Sequence, residues 1–140
     1  MSPADTQLRS ELLQYCQHLS DTEQYDDEEG YHYWEVVLPG LGEPRAQSGN
    51  CTNGARLIAN KFGGVVMGYR VTDNPTETLC ERVGGHDFAI VGRFLVDWWA
   101  WQLPSAIAAP VLDLDLDKHQ IRRLYGDPNC WSLTPNYERA

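Results

Sequence analysis

The sequence predicts a single α+β domain spanning residues 1–140: a cysteine-bearing helix packed on a small antiparallel sheet of about four strands, flanked by helices at both ends. Three observations carry this. Leu8, Leu12, Tyr15 and Leu19 recur at intervals of four, three and four, the stripe of an amphipathic helix. Ala55, Ile58, Ala59 and Phe62 repeat that spacing directly after Cys51. Two short apolar runs, Asp87 to Val91 and Phe94 to Trp98, are separated only by Gly92-Arg93, a pair suited to a two-residue hairpin turn.

Taken in order, the first helix covers Pro3 to Ser20, and Asp21 to Glu29 follows with six acidic residues. Tyr31 to Leu38, aromatic and branched, reads as a strand bounded by Pro39-Gly40, and Gly40 to Gly49 reads as loop. Ser48 or Asn50 can cap the second helix and Gly63-Gly64 ends it, because glycine accepts the left-handed conformation of a helix stop. Cys51 therefore falls on its first turn. Val65, Met67, Tyr69 and Val71 alternate as a strand, and Thr72 to Gly85, polar and holding Pro75, is mostly loop. After the hairpin, Val111 to Leu116 is extended. Asp117 then caps a last helix whose apolar face is Ile121, Leu124 and Tyr125, ended by Gly126.

Charge and composition exclude several classes. Eleven basic residues are scattered among twenty acidic ones, for a net charge of -9, so a phosphate-tracking nucleic-acid surface is not expected. No run approaches the length of a membrane helix, and Met1 to Asp5 opens without the basic and apolar segments of a secretory signal. The expectation is a cytoplasmic protein, or an effector domain delivered without its own signal peptide. With no secretory signal in view, Cys16, Cys51, Cys80 and Cys130 are expected as reduced thiols rather than two disulfides, and their wide spacing gives no zinc-ligand pattern. Asp113, Asp115 and Asp117 imitate the start of a calcium loop, but Lys118 stands where glycine is needed and Leu124 where the bidentate glutamate belongs. No metal or organic cofactor is expected. The Asp21–Glu29 stretch reads as a solvated loop or as a docking site for a basic protein partner.

One set of residues fits a chemistry. A thiol attacks as its thiolate, which a helix N-terminus favours. A neighbouring imidazole takes its proton, and a carboxylate orients that imidazole. Cys51, His86 and Asp97 are the candidates for these three roles. The hairpin tests them: with Gly92-Arg93 as the loop, Val91 pairs with Phe94 and Phe88 with Asp97. His86 and Asp97 then share a face as diagonal neighbours, their Cβ atoms roughly 7 Å apart. A one-residue slip would put them on opposite faces. Each residue alone has an ordinary reading, the cysteine as a small buried hydrophobe and the histidine and aspartate as turn or cap residues. Cys80 is a weaker candidate nucleophile, and His18, His32 and His119 read as surface residues. For the oxyanion, the backbone N–H of Cys51 is one donor, and the side-chain amide of Gln47 or Asn50 is the second. Trp98 and Trp99, with Trp101, either wall the substrate site or pack as ordinary core.

The segments Asn50-Cys51-Thr52-Asn53-Gly54-Ala55, His86-Asp87-Phe88-Ala89-Ile90-Val91 and Phe94-Leu95-Val96-Asp97-Trp98-Trp99 together resemble the papain-like superfamily. They are most similar to its branches with the order Cys, His, Asp: transglutaminase-like proteins, arylamine acetyltransferases, protein deamidases and papain-fold toxin domains. The resemblance covers about Ser48 to Trp99. It lacks the calcium-site acidic residues of large transglutaminases and the length of an acetyltransferase. It implies a papain-like core in which cysteine opens a central helix and histidine and aspartate come from adjacent strands. It also implies a peptidase, amidase or deamidase acting on a peptide or protein amide. The contrasting expectation is a non-catalytic acidic interaction or inhibitor-type domain on the same scaffold.

Overall fold

The N-terminal stripe folds as helix α1, Pro3–Thr22, in which Leu12, Cys16 and Leu19 are buried along one side and Leu8 and Tyr15 pack beside them. The computed structural model describes residues 1–22, 50–79, 84–102 and 106–133. Helix α2, Asn50–Phe62, buries Ala55, Ile58 and Ala59. It stops where Gly63 adopts a φ of 75° and the Gly64 N–H reaches back to the Ala59 carbonyl at 3.0 Å.

Five antiparallel strands follow: β1 Val65–Arg70, β2 Gly85–Val91, β3 Phe94–Val96, β4 Val111–Asp113 and β5 Ser132–Leu133. They lie in the order β4-β3-β2-β1-β5. The β2–β3 turn falls at Gly92-Arg93, with φ of 58° at Gly92, and Val91 faces Phe94. Val66, Ala89, Val91, Phe94, Val96 and Val111 share one face of the sheet and pack against α1 and α2. Phe88, Leu95, Leu112 and Tyr69 face the other way, against Ile121, Leu124 and Tyr125 of helix α4, Lys118–Tyr125. Both faces are thus covered. Phe88 is wholly buried, which for a side chain of this size stabilises the fold by about 1.5–3 kcal/mol relative to exposure.

Several sequence expectations need correction. The strand read through Val71 ends at Arg70, and Val71–Asp73 is a short 3-10 turn. The run to Trp98 ends at Val96, since Asp97 caps a short helix α3, Trp98–Trp101, by accepting the Ala100 N–H. The extended run to Leu116 ends at Asp113, because that carboxylate accepts the N–H groups of Asp115 and Leu116 and turns the chain. Asp117 stands at the start of α4, but its side chain takes the Asp113 N–H and makes no helix-cap bond. The expected strand Tyr31 to Leu38, the acidic stretch beyond Thr22, His32 and Cys80 lie outside the described residues.

Candidate active site

The register that buries the hairpin also assembles a polar cluster at its open end. His86 is the second residue of β2 and pairs with Tyr69 of β1. Asp97 is the first residue past β3, one step beyond the Ala89–Val96 pair. Continuing that ladder sets Asp97 opposite Phe88, so it turns to the same side as His86. Their side chains meet: His86 Nε2 lies 2.6 Å from Asp97 Oδ2, with both residues 2 % exposed.

Asp97 has further partners on both oxygens. Oδ1 accepts the Ala100 N–H at 2.9 Å, and Oδ2 also accepts the Tyr125 hydroxyl at 2.6 Å. The carboxylate is therefore fixed from β2, α3 and α4 together. Aromatic rings enclose the imidazole: Trp99 at a centroid distance of 4.8 Å, Phe88 and Tyr125 at 5.9 Å, and Tyr69 at 6.3 Å.

These surroundings set the charge of His86. Burial alone would lower its pKa, since it disfavours imidazolium. The charge of Asp97 and its hydrogen bond oppose this, with a smaller push from the nearby Cys51 thiol, and the pKa stands well above the usual 6.5. With Nε2 engaged by Asp97, Nδ1 is the ring nitrogen left for another group. It is buried and has no partner of ordinary hydrogen-bond geometry.

Cys51 approaches from α2, as the second residue of that helix, and is half-buried. It lines a cleft of about 420 Å3 together with Thr52, Tyr69, Arg70, Gly84, Gly85, His86 and Asp87. Helix and strand are tied one residue beyond the cysteine and the histidine, where Thr52 Oγ1 donates to Asp87 Oδ2 at 2.6 Å. Gly68, opposite Asp87 on β1, makes room for that carboxylate: a Cβ there would lie 2.0 Å from Asp87 Oδ1. Gly54 similarly lets α2 lie against Trp98.

The structure thus brings Cys51, His86 and Asp97 to one place, but it separates the tryptophans. Trp98 is 1 % exposed, packs in the core with α1 and α2, and donates its Nε1–H to Ser20 at 3.0 Å. It is a core residue and does not line the cleft, which corrects its assignment to substrate binding. The next residue of the helix, turned about 100° from it, is Trp99, and Trp99 is the one that stacks on His86. Asn50 opens α2, and Gln47 lies outside the described residues.

Tyr125 and the Thr52–Asp87 tie were not singled out by sequence reasoning. Tyr125 shows only as part of an apolar helical face. For Asp87 the available signal is a carboxylate inside an otherwise apolar strand, beside His86. Cys16 is fully buried, and burial, then the charge of Asp97, push its thiol well above the ordinary range. None of the three cysteines among the described residues is in a disulfide. His18 and His119 are exposed. Among the described residues no cluster of His, Cys, Asp and Glu has the arrangement of a metal site, and no helix is long and apolar enough to cross a membrane. No protein family, curated protein or solved structure matches the chain.

Proposed function

We propose that this chain is a cysteine-dependent acyl-group enzyme of papain-like type, acting on a peptide or protein amide. Cys51 is its nucleophile, His86 its acid and base, and Asp97 the residue that orients His86. The observation that carries the reading is the buried imidazole, held on Nε2 by Asp97 at 2.6 Å, sharing a cleft with the thiol of Cys51 at the start of a helix.

In this mechanism the Cys51 thiolate, paired with imidazolium, attacks the carbonyl carbon and a C–S bond forms. The carbonyl electron pair moves onto oxygen, where the Cys51 backbone N–H can donate to it. As the tetrahedral intermediate collapses, His86 gives its proton to the departing nitrogen and the C–N bond breaks, leaving a thioester. Water then attacks the thioester carbon while His86 takes its proton. The C–S bond breaks, and thiolate and acid are released. Throughout, Asp97 holds the ring so that the same nitrogen faces the reacting atoms.

The test is alkylation with iodoacetamide at pH 6, read by peptide mass mapping on the folded chain. Cys51 should be labelled first among the four thiols, and His86→Ala should move its reactivity to higher pH. A Cys51 that is inert in the folded chain, or is labelled no faster than Cys80, would overturn the proposal and favour a binding module on the same scaffold.

A further inference from the structure

Tyr125 is the last residue of α4 and is fully buried. Its hydroxyl donates to Asp97 Oδ2 at 2.6 Å, the oxygen that also holds His86 Nε2 at 2.6 Å. Neighbouring groups fix it in place. The Tyr125 carbonyl accepts from Asn74 Nδ2 at 2.8 Å and from Trp131 Nε1 at 2.9 Å. The Leu124 carbonyl accepts the N–H groups of Thr78 and Leu79, both at 3.0 Å. Gly126 leaves the helix with φ of 74°, packed so closely on Asn74 that no Cβ would fit. The carbonyls that an eight-residue helix would otherwise leave unpaired at its end are thus satisfied. The phenol is held rigidly against the carboxylate.

Resting on the thiol-enzyme reading above, we propose that Tyr125 is a positioning residue of the His86–Asp97 pair, fixing the carboxylate and, by sharing Oδ2, limiting how basic the imidazole becomes. Two donors on one oxygen compete for the same electron density. Each hydrogen bond that oxygen accepts is then weaker than it would be alone. The imidazolium is stabilised enough to form, yet not so strongly that it withholds its proton from a leaving group. An acid–base catalyst works best in that intermediate range. A carboxylate engaged by His86 and the Ala100 N–H alone would hold the proton more tightly.

Among the described residues, the other titratable or charged groups around the pair are Cys16 of α1, Cys51 of α2, Tyr69 and Arg70 of β1, Asp87 of β2, and Glu77, which accepts the Tyr69 hydroxyl at 2.7 Å. Tyr125→Phe removes none of them, so a change in the His86 titration would report the lost hydroxyl.

The experiment follows the His86 ring by proton–carbon NMR against pH in the full chain carrying Cys51→Ala, with and without Tyr125→Phe. The imidazole pKa should rise by about half a unit to one unit, a three- to tenfold tighter hold on the proton. A second arm places 3-fluorotyrosine at position 125. Its more acidic hydroxyl donates more strongly, so the His86 pKa should fall. This arm also decides the matter if the phenylalanine variant does not fold. An unchanged titration, or shifts of the opposite sign, would overturn the proposal. The titration requires no reaction at Cys51. An inert Cys51 alongside the expected shifts therefore refutes the enzyme reading alone, and a reactive Cys51 with an unmoved titration refutes this inference alone.

Discussion

Asp97→Asn tests the proposed triad most directly, because the amide keeps the shape of the carboxylate and removes its charge. Asp97 accepts two donors on Oδ2 and one on Oδ1. An amide can accept on one side only. Either its NH2 faces the Ala100 N–H, or it faces His86 and Tyr125. A buried donor left without an acceptor costs about 1–3 kcal/mol, so some loss of stability is expected. The larger effect falls on His86. A carboxylate at this range moves a partner's pKa by about 1–3 units, and its removal leaves burial to push the imidazole down. Cys51 then lacks an imidazolium at neutral pH, and its alkylation at pH 6 should slow by at least about tenfold. Stability should change with a definite sign. The folded pKa of His86 is raised above its unfolded 6.5, so the stabilisation from this proton is complete below pH 6.5 and is lost as pH rises through the folded value. Urea unfolding at several pH values should therefore show the largest gap between parent and variant below pH 6.5, narrowing as pH rises. A gap that does not change with pH, together with an unaltered alkylation profile, would refute the reasoning.

Two further predictions concern the frame of the site. Gly68→Ala places a Cβ 2.0 Å from Asp87 Oδ1 and 2.6 Å from the His86 carbonyl oxygen, so the strands must move apart. A loss of about 1–3 kcal/mol in urea unfolding is expected, and a variant as stable as the parent would show that this close approach is absent. Arg93 forms an ion pair with Asp113, Nε to Oδ2 at 2.7 Å, and with the Asp113 backbone contacts it holds that carboxyl at about 2. Because this folded pKa is depressed, the stabilisation is present above the usual 3.8 and is lost as pH falls through about 2. Arg93→Met should therefore be less stable at pH 7, with the difference shrinking between pH 4 and pH 2.5. A difference independent of pH would exclude the ion pair as its cause.

The parts of the fold that could be read in the sequence are those set by local period and glycine. The helical spacing of Ala55, Ile58 and Ala59 and the stop at Gly63 place Cys51 on a first turn. The two-residue turn at Gly92-Arg93 fixes the side on which Asp97 lies. Features that depend on distant packing were not legible. Trp98 continues an apolar run, but the Asp97 carboxylate accepts the Ala100 N–H and its carbonyl the Trp101 N–H, which ends the strand and starts a helix. An Asp followed three residues later by Ala, before a bulky run, is compatible with a cap, but strand pattern and cap pattern compete there. Leu114 and Leu116 look like strand residues until Asp113 turns the chain on itself. Tyr125 reads as one apolar position among three. Its hydroxyl acquires a role only because α4 crosses the sheet face that carries His86.

The geometry of the candidate site follows from the same register that builds the core. Ala89 and Val91 pack toward α1 and α2 because they pair with Val96 and Phe94, and that alternation turns His86 and Phe88 to the other face. A slip of one residue would turn the core pairs away from α1 and α2 and also separate His86 from Asp97. Several features oppose such a slip. Gly92 takes a left-handed turn, Arg93 is anchored to Asp113, and the Leu114 N–H reaches the Arg93 carbonyl at 2.9 Å. The buried polar cluster adds a constraint of its own. His86, Asp97 and Tyr125 satisfy one another only in this register, and removing one member would leave buried partners without bonds. The turn and the fit of side chains on each face select the register, and the buried polar bonds raise the cost of departing from it. The proposed chemistry, which depends on His86 being held by Asp97, is therefore protected by interactions that stabilise the whole sheet.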